Sequence, residues 1–277
     1  MLTTFQQDIL SFIKQLFPNF KQIGNTTIFQ LSEHLFIHLI SLKENIQNKQ
    51  EYFYTELTNR YTHSGKQLIH LWEDNWVSHQ KIIKSRLASF AGVTTKIHGR
   101  KTKVTRIHQE EFYAFLNQNH LQGAVHAKYK FGLYEKDNLV AVAGFSHPRK
   151  ISRDGYISRS SELIRFCNLT NHTVIGGMDK LLKHFITHFE IDDIMSYADR
   201  DWSNGKSYER LGFDFIEQTD PTVFWIDVKT NTRYFEHSLS KENQLEGDEL
   251  TAFLEQKKYL RIENSGNLKF IKLLANT

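Results

Sequence analysis

The first ninety or so residues alternate between helix-like and strand-like spacings of apolar side chains. A helix is predicted before Pro18, since proline cannot continue one, and its apolar face consists of Ile9, Phe12, Ile13 and Leu16. Apolar runs at Leu35–Leu42 and Gln67–Trp72 predict strands, and residues 50–62 between them predict a helix. A further amphipathic helix, capped by Gly92, is predicted with an inward face of Ile82, Ile83, Leu87 and Phe90.

From residue 96 onward the pattern changes. Residues 96–108 alternate as KIHGRKTKVTRIH, which suits a strand or an extended connector. Strands and helices then alternate, which is typical of an α/β domain. The predicted elements are a helix at 110–118, a hairpin of Phe131–Tyr134 and Leu139–Phe145, a strand at Glu162–Cys167, helices at Gly177–Phe189 and Ser203–Leu211, and strands at Ile191–Tyr197, Phe213–Glu217 and Val223–Val228. The tail from residue 236 is polar and acidic to about residue 250 and ends in either a helix or a strand.

Composition narrows the class of protein. With 40% hydrophobic and 13% aromatic residues in 277, the chain has enough apolar material for a normal core and for one or two domains. A single cysteine, Cys167, excludes an internal disulfide and favours a reducing cytoplasm. The polar residues near the N-terminus fit neither a signal peptide nor a membrane span, so no membrane partner is expected.

Charge is concentrated in one segment. The formal net charge is +4, but residues 81–109 contain eight Lys and Arg and no Asp or Glu, so the remainder carries −4. Clustered basic residues neutralise phosphates, so DNA is the expected partner. The expected DNA-contacting residues in this segment are Arg100, Lys101, Lys103 and Arg106; the alternative is a solvated charged surface.

A glycine-containing loop and a motif downstream of it are the most informative patterns. The loop reads Thr173-Val174-Ile175-Gly176-Gly177-Met178, between a predicted strand and a predicted helix. Downstream, Asn204 and Tyr208 precede Leu211-Gly212-Phe213. This order resembles the GNAT acyltransferase superfamily, whose loop usually has Arg or Gln first, Gly fourth and Gly or Ala sixth. Thr173 and Met178 depart from that loop, so the downstream motif carries more of the resemblance.

The resemblance to GNAT proteins implies a cofactor and roles for several residues. Acyl-CoA, such as acetyl-CoA, is held with its pyrophosphate at the helix N-terminus, where free N–H groups favour phosphate. Tyr208 protonates the leaving thiolate; the alternative is that Tyr208 only packs and that Leu-Gly-Phe is a helix C-cap followed by a core strand. The implied cofactor contacts are Cys167, Val174, Ile175, Gly176, Gly177, Met178 and Asn204, although Cys167 also fits the core.

A second resemblance covers residues 67–235, roughly. The chain is similar to phage-type proteins known as homing or Vsr-like endonucleases in the blocks LIHLWEDNW (68–76), IKSRL (83–87), NHLQG (119–123), LIRFCN (163–168), VIGG (174–177), SYADR (196–200) and WSNG (202–205). This similarity implies a degenerate Vsr/PD-(D/E)XK-like module at 1–95, a GNAT-like domain at 96–235, suggestive of Mom-type DNA base modifiers, and a C-terminal extension at 236–277. The fold class is therefore α/β or α+β.

The nuclease chemistry lacks its expected residues. Such a nuclease needs carboxylates that converge on Mg²⁺, whereas Leu35–Leu42 contains none. Glu33 and Glu44 flank this run and are candidate substitutes, while adjacent Glu73 and Asp74 would point to opposite faces of a continued strand. The pair His184 and His188 lacks the glutamate of an HExxH motif, so no metal is predicted.

Further candidates follow the predicted strand 191–197. Ligands gather at the carboxyl ends of strands in α/β sheets, so Asp199 is a candidate base and Arg200 a candidate phosphate or substrate clamp. Trp202 either stacks on a base or folds inward. The alternative is that Asp201 or Ser203 caps the next predicted helix. His120 and Glu162 are additional candidates for substrate contact. The alternative for His120 is that it stabilises a turn.

These observations favour a DNA-associated GNAT-like transferase that places an acyl or related small group on a nucleobase. Its chemistry is expected near Asp199, Arg200 and Tyr208. The alternatives are a homing-type endonuclease, which requires Mg²⁺, and a non-catalytic nucleic-acid-binding relative. A GNAT enzyme acting on proteins or small molecules is also open, because a fold does not determine a substrate.

Overall fold

The computed structural model describes residues 2–42, 51–153 and 155–274, with the side chain of Arg153 excepted. The chain forms two compact units, each assembled from three stretches of sequence. Unit 1 contains Met1–Gln80, Ala198–Asn204 and Gln218–Leu268, and unit 2 contains Lys81–Tyr197, Gly205–Glu217 and Lys269–Thr277. The units do not follow the three continuous segments drawn from the sequence, because late segments of the chain return to pack in both units.

Unit 1 begins with helix α1 (Thr4–Leu16), which ends before Pro18 as predicted. A capping box fixes its start: the Gln6 amide donates to Thr3 Oγ1 and the Thr3 amide donates to Gln6 Oε1 at 2.9 Å. Ile9 and Ile13 are fully buried on its apolar face. Local sequence therefore defines both ends and the buried face of this helix.

The first sheet of unit 1 has the strand order β1 (Lys21–Gln22), β2 (Ile28–Gln30), β3 (Leu35–Ile40) and β4 (Gln67–Trp72). β3 and β4 pair in parallel over their full lengths, from Leu35↔Gln67 to Ile40↔Trp72. Helix α2 (Phe53–His63) connects them. Both strands are apolar runs with buried side chains on both faces, which is why they were recognisable from sequence.

Helix α3 (Glu73–Phe90) begins directly after β4 and is kinked at His79, where φ is −134°. Unit 2 starts two residues after the kink. Ile82, Ile83 and Leu87 are buried as predicted, but Phe90 is 37% exposed and does not belong to the inward face. Gly92 has a φ of +75°, which suits the predicted C-cap.

The C-terminal part of unit 1 is a small sheet covered by two helices. Strand β14 (Val223–Asp227) lies between β15 (Thr232–Phe235) and β16 (Tyr259–Glu263). Helices α7 (Glu236–Asn243) and α8 (Gly247–Gln256) follow β15 in the chain. Strand β17 (Asn267–Leu273) follows β16 in the chain but pairs in the larger mixed sheet described below. Trp225, Leu239, Leu250 and Leu254 form one buried cluster. The tail therefore contains both helices and strands, and the sequence did not predict the helix at 236–243.

Unit 2 is built on a mixed sheet. The first elements of unit 2 in the chain are β5 (Thr95–His98), a 3₁₀ turn (Gly99–Lys101), β6 (Lys103–Arg106) and α4 (Gln109–Asn119). The remaining elements are β7 (Tyr129–Glu135), β8 (Asn138–Phe145), β9 (Arg149–Arg153), β10 (Tyr156–Asn168), β11 (His172–Ile175), α5 (Gly177–His188), β12 (Asp193–Asp199), α6 (Lys206–Glu209) and β13 (Asp214–Gln218). The strand order is β13-β17-β12-β10-β8-β7-β6; β9 pairs with β10, and β11 pairs separately with β5.

The alternation of strands and helices predicted for unit 2 is confirmed, with two corrections. β10 starts at Tyr156 and not near Glu162, because its first residues pair with β9 in a hairpin that was not predicted. α6 has four residues, whereas the pattern predicted a helix over Ser203–Leu211. Gly205, with a φ of +80°, is the N-cap of α6 and separates it from the preceding residues.

Aromatic packing fixes two helices of unit 2. Phe185 on α5 stacks on Phe145 of β8, with ring centroids 4.0 Å apart and the planes at 2°. Phe112 on α4 approaches Gly144 so closely that a Cβ there would lie 2.6 Å from Phe112 Cζ. Glycine at 144 is thus a packing requirement. In the described part of the chain, no helix combines the length and apolarity needed to cross a membrane.

Candidate active site

Two neighbouring parallel strands of unit 2 separate before they end. β10 and β12 pair only from Ser160↔Asp193 to Glu162↔Met195, although both strands continue. On its other edge β10 stays paired with β8 as far as Asn168↔Ala141. A gap therefore opens between β10 and β12 toward their carboxyl ends, the position at which ligands bind in sheets of this kind.

A bulge lies where the gap begins. The register of β10 against β8 shifts between Leu163 and Arg165, which leaves Ile164 as an extra residue. Bulges bend a strand and re-aim side chains, and they are frequent next to active sites. Here the bulge accounts for the bend that takes β10 away from β12.

A side chain bridges the strands where the backbone pairing stops. Ser196 Oγ on β12 lies 2.9 Å from the Leu163 carbonyl oxygen on β10 and 3.1 Å from the Tyr208 hydroxyl. The Tyr208 ring stacks on Phe270 at 5.1 Å and meets Phe213 edge-on at 5.5 Å. These contacts hold the phenol hydroxyl at the opening of the gap.

The contacts of the downstream motif include those of the packing alternative. Phe213 is buried and the amide of Gly212, with a φ of +75°, donates to the Glu209 carbonyl, so Leu-Gly-Phe does form a helix C-cap followed by a core residue. Tyr208 packs through its ring. Its hydroxyl nevertheless lies at the gap between the strands, which packing alone does not require.

The hydroxyl of Tyr208 holds its proton firmly. Burial raises the pKa of Tyr208, while the hydrogen bond with Ser196 and the charge of Arg165 lower it and Glu162 raises it. Burial also raises the pKa of Glu162, against the charges of Arg149 and Arg165. The gap thus contains a neutral phenol, with a proton available for a basic leaving group.

The glycine loop lies at the start of α5, as predicted. Gly176 is the N-cap with a φ of +72° and is exposed, while a Cβ on Gly177 would lie 2.9 Å from Val174 Cγ1. The Val174 amide donates to Asn168 Oδ1 at 3.4 Å, which ties the loop to the end of β10. The first-turn amides of α5 point away from the helix body and suit an anion. In the predicted cofactor set, Ile175 is 44% exposed, Val174 is buried and Met178 is half-buried.

The predicted DNA-contacting segment lies against this loop. β5 pairs in parallel with β11, from Thr95↔His172 to Ile97↔Val174 and beyond. A Cβ on Gly99 would lie 3.0 Å from the Ile175 carbonyl oxygen, and Lys180 Nζ on α5 donates to the Gly99 carbonyl at 2.9 Å. The following side chains of Arg100 and Lys101 are exposed. Two predicted sites, for nucleic acid and for cofactor, are therefore neighbours in unit 2.

A cleft of about 350 Å³ lies at the carboxyl end of β10. Burial lowers the pKa of His120 to about 3, with Arg165 and Arg86 adding to the effect. Burial raises the pKa of Cys167 to about 12 against the charge of Arg86. The cleft thus presents a neutral imidazole and a neutral thiol beside arginine. Its lining includes Arg86, His120, Phe166, Cys167, Asn168 and Ser207.

Three predicted site residues lie in unit 1 and have structural partners there. Arg200 is buried, and its guanidinium donates to the Ser265 carbonyl at 2.9 Å and to Asn59 Oδ1 at 2.7 Å. Trp202 is 3% exposed, so the inward alternative fits its placement. Asp199 Oδ1 accepts the Asp201 amide at 3.0 Å. These contacts favour a structural role for Arg200 over a phosphate clamp, for Trp202 over a stacking platform, and for Asp199 over a base. Asn204, which was assigned to the cofactor, is half-buried and also belongs to unit 1.

The described residues among the metal-binding candidates do not assemble a site. In the described ranges, no group of three or more His, Cys, Asp or Glu side chains is arranged to hold a metal ion. Asp74 forms a bidentate pair with Arg233, with both N–O distances 2.8 Å, and Glu73 Oε2 accepts the Leu42 amide. Glu33 is exposed, and Glu44 lies outside the described residues. Among the described residues of 1–95, Glu33, Glu73 and Asp74 therefore do not converge on a common point.

The sequence did not reveal the positions of two residues, Ser196 at the gap and Arg86 in the cleft. Ser196 was named only as part of the SYADR block (196–200) and was given no role, because a serine within a strand is read as one more polar position. Arg86 was included only in the IKSRL block (83–87) and in the basic segment, whereas the structure places it in the lining of the cleft. His120 was considered for substrate contact, and the structure places it in the lining of the same cleft. Strand separation, a tertiary property, creates this neighbourhood.

Comparison with known proteins returns acetyltransferase structures. No family model matches the chain, and no curated protein matches it. A histone acetyltransferase and related acetyltransferase from Corynebacterium glutamicum is 13% identical, with a TM-score of 0.36 and coverage of 64% of this chain and 98% of that one.

Two further solved structures are similar at the same level. An IAA acetyltransferase from Bacillus cereus is 12% identical over 62% of this chain and 99% of that one, with a TM-score of 0.35. A GNAT family acetyltransferase from Elizabethkingia anophelis with acetyl-CoA bound is 9% identical over 63% and 99%, also with a TM-score of 0.35. TM-scores at this level do not by themselves show a shared fold.

Proposed function

We propose that unit 2 is a GNAT-like acyltransferase that takes acyl-CoA in the gap between β10 and β12. One observation carries the proposal: the Tyr208 hydroxyl lies 3.1 Å from Ser196 Oγ, where the backbone pairing of the two strands stops. A completed parallel ladder would leave no room for a ligand at this point. The gap, the bulge and the phenol together supply a place for a thioester and an acid beside it.

The neighbouring groups fit the remainder of acyl-CoA. The first-turn amides of α5 and the exposed Arg100 and Lys101 suit its phosphates. The cleft beside Cys167 and His120 suits a neutral, polar chain, because both groups are uncharged at neutral pH. Residues 174–178 and Cys167, assigned to the cofactor from sequence, thus belong to one continuous stretch of unit 2.

The reaction requires one proton to leave and one to arrive. The acceptor nitrogen or oxygen attacks the thioester carbon, a bond to that carbon forms, and the C–S bond breaks. The acceptor gives up its proton to solvent or a base, and Tyr208 donates its proton to the departing sulfur. The phenol is a weaker acid than a thiol with a pKa of ~8.5, so the proton moves to sulfur as the C–S bond breaks and the phenolate regains a proton from solvent. The fixed position of Tyr208 beside the sulfur is what makes this transfer efficient.

The finer part of the proposal is a nucleobase acceptor in DNA. Exposed basic side chains at 100, 101, 103 and 106 support a phosphate-contacting surface, and they lie on the same unit as the gap. A base must leave the stack to be modified, so DNA contacts have to hold an extruded nucleotide. Attack by its exocyclic amine on the thioester would give an N-acyl base.

A direct test uses purified protein, DNA and acetyl-CoA labelled in the acetyl group. Nucleosides released from the DNA are analysed by mass spectrometry, with binding of acetyl-CoA measured separately by calorimetry. We expect an acetylated nucleoside with the wild-type chain and at most about a hundredth as much with Tyr208→Phe. Binding of acetyl-CoA without any modified nucleoside would remove the DNA acceptor and keep the transferase, whereas absence of acetyl-CoA binding would remove both.

A further inference from the structure

A two-stranded ribbon in unit 2 has two unlike faces. It consists of β9 and the first residues of β10, paired antiparallel from Tyr156↔Arg153 to Ser160↔Arg149. Side chains paired across an antiparallel ladder share a face, and successive residues alternate. Lys150 and Arg159 therefore share one face with Ser152 and Ile157, while Ser158 and Ser160 lie on the other.

The second face is packed. Ser158 and Ser160 are buried, and both hydroxyls donate to the carboxylate of Asp193, the latter at 2.5 Å. These bonds fix the register and orientation of the ribbon on β12. The ribbon is therefore held by its serine face and presents a defined surface on the other side.

The first face is open. Lys150, Ser152, Ile157 and Arg159, here called the ribbon face, are all exposed, and Ile157 has 69% of its surface accessible. Arg159 pairs with Glu190 at 2.9 Å, but both side chains are well exposed, and an exposed pair of this kind is weak and exchangeable. The neighbouring Tyr156 is 50% exposed. An apolar side chain beside two cross-strand cations, Lys150 and Arg159, is thus offered to a partner.

We propose that the ribbon face is a docking surface for duplex DNA, with Lys150 and Arg159 on phosphates and Ile157 against the groove. This proposal rests on the proposed DNA acceptor. A two-stranded ribbon fits the major groove, which is about 12 Å wide. Five residues of strand reach about 17 Å, so the ribbon face spans several base pairs. Phosphate contacts position the protein, and an exposed apolar side chain contacts base edges or a thymine methyl.

The charge distribution favours DNA over a second protein chain. Residues 147–159 contain four Arg or Lys and one Asp, which would repel the same surface of another copy. An anionic membrane attracts the same cations, and the experiment separates it from DNA by offering vesicles as well.

The experiment measures binding of a short labelled DNA duplex to the full chain at several salt concentrations. The variants are Lys150→Gln/Arg159→Gln and Ile157→Ser. Lys14→Gln/Lys21→Gln, which removes the same charge from exposed positions of unit 1, is the control. Circular dichroism and acetyl-CoA binding report on whether each variant folds, and neither is expected to change with the ribbon variants.

We expect the double ribbon variant to bind duplex at least about tenfold more weakly, with the slope of log K against log salt reduced by about 2. Ile157→Ser should weaken binding without changing the slope, since it removes no charge. The control should retain wild-type affinity to within a small factor. This pattern would support the ribbon face as a DNA-binding surface even if the chain did not bind acetyl-CoA. Failure of the proposed transferase therefore remains distinguishable from failure of the proposed DNA contact.

Three results would overturn the proposal. One is the absence of duplex binding by a wild-type chain that binds acetyl-CoA. Another is equal affinity and salt slope in the wild type and the double ribbon variant. The third is ribbon-dependent binding to phosphatidylserine vesicles without binding to duplex, which would assign the ribbon face to a membrane surface.

Discussion

Unit 1 and unit 2 each contain a parallel pair of strands, and the two pairs differ in how far their ladders extend. β3 and β4 of unit 1 pair without interruption from Leu35↔Gln67 to Ile40↔Trp72. β10 and β12 of unit 2 pair over three positions and then separate. A continuous ladder closes the space between the strands, whereas an interrupted one exposes polar groups to a ligand.

The polar groups between the strands differ accordingly. In unit 1, His38 Nδ1 and His70 Nδ1 lie 3.2 Å apart, and His70 Nε2 lies 2.8 Å from Thr58 Oγ1, all within the buried interior. In unit 2, Ser196 bridges to Leu163 and to Tyr208 at the edge of a gap. Buried polar groups that satisfy one another stabilise a core, and those that border a gap are available for chemistry.

The largest expected effect on catalysis comes from the substitution Tyr208→Phe. The ring contacts with Phe270 and Phe213 do not use the hydroxyl, so the variant should fold. Loss of the general acid should lower kcat about 10²- to 10⁴-fold with little change in acyl-CoA affinity. Steady-state kinetics and calorimetry give both quantities. Wild-type kcat in this variant would show that the gap holds no acid and would end the contrast between the two strand pairs.

Asp74→Asn tests the complementary statement, that charged groups of unit 1 stabilise the fold. Asp74 is 1% exposed and forms a bidentate pair with Arg233, which is largely buried. Removing one partner of such a pair should lower the free energy of unfolding by about 3 kcal/mol. Urea denaturation measures this, and acyl-CoA binding by the folded protein should be unchanged. A change confined to ligand binding would give Asp74 a functional role instead.

Local patterns predicted much of the fold and less of the site. β4, α1 and α5 follow from uninterrupted apolar periodicity. Tyr208 was singled out by its motif, but its place at the gap depends on contacts with Ser196 and Phe270 from other strands. Asp199, Arg200 and Trp202 were chosen for lying beyond a strand, but burial and contacts with Asn59 and Ser265 come from distant segments. The ribbon of β9 was missed since its alternation is mostly polar.

The paired histidines of unit 1 should make stability depend on pH. Burial, the principal cause, lowers the pKa of His70 to about 3 from 6.5, and burial with the charge of His70 lowers the pKa of His38 well below its usual value. Between pH 6.5 and about 3 the unfolded chain therefore binds more protons, so stability is complete above pH 6.5 and falls as the pH drops. Over this range each histidine should lower the free energy of unfolding by about 1.4 kcal/mol for each pH unit of acidification.

The variant His70→Asn isolates this effect. We expect its unfolding free energy to be lower at pH 7, since His38 and Thr58 lose a partner, but to decline less steeply with acid by about 1.4 kcal/mol per pH unit. Parallel slopes for the wild type and His70→Asn between pH 6 and 4 would contradict a neutral, buried His70.

The smallest effect is expected from Ser196→Ala, and it tests whether a bridging hydroxyl acts through Tyr208. Ser161 is a matched position, because its hydroxyl also donates to a backbone carbonyl, that of Ser146 at 3.0 Å, but has no contact with the phenol. Each alanine variant should lose about 1 kcal/mol of stability.

Only Ser196→Ala should also lower kcat, by roughly tenfold, and shift the alkaline limb of the rate profile, since the hydrogen bond from Ser196 lowers the pKa of Tyr208. Removing that bond raises the phenol pKa further, so the limb should move to higher pH. Equal kinetics in the two variants would mean that Ser196 only closes the sheet, as the side chains between β3 and β4 do.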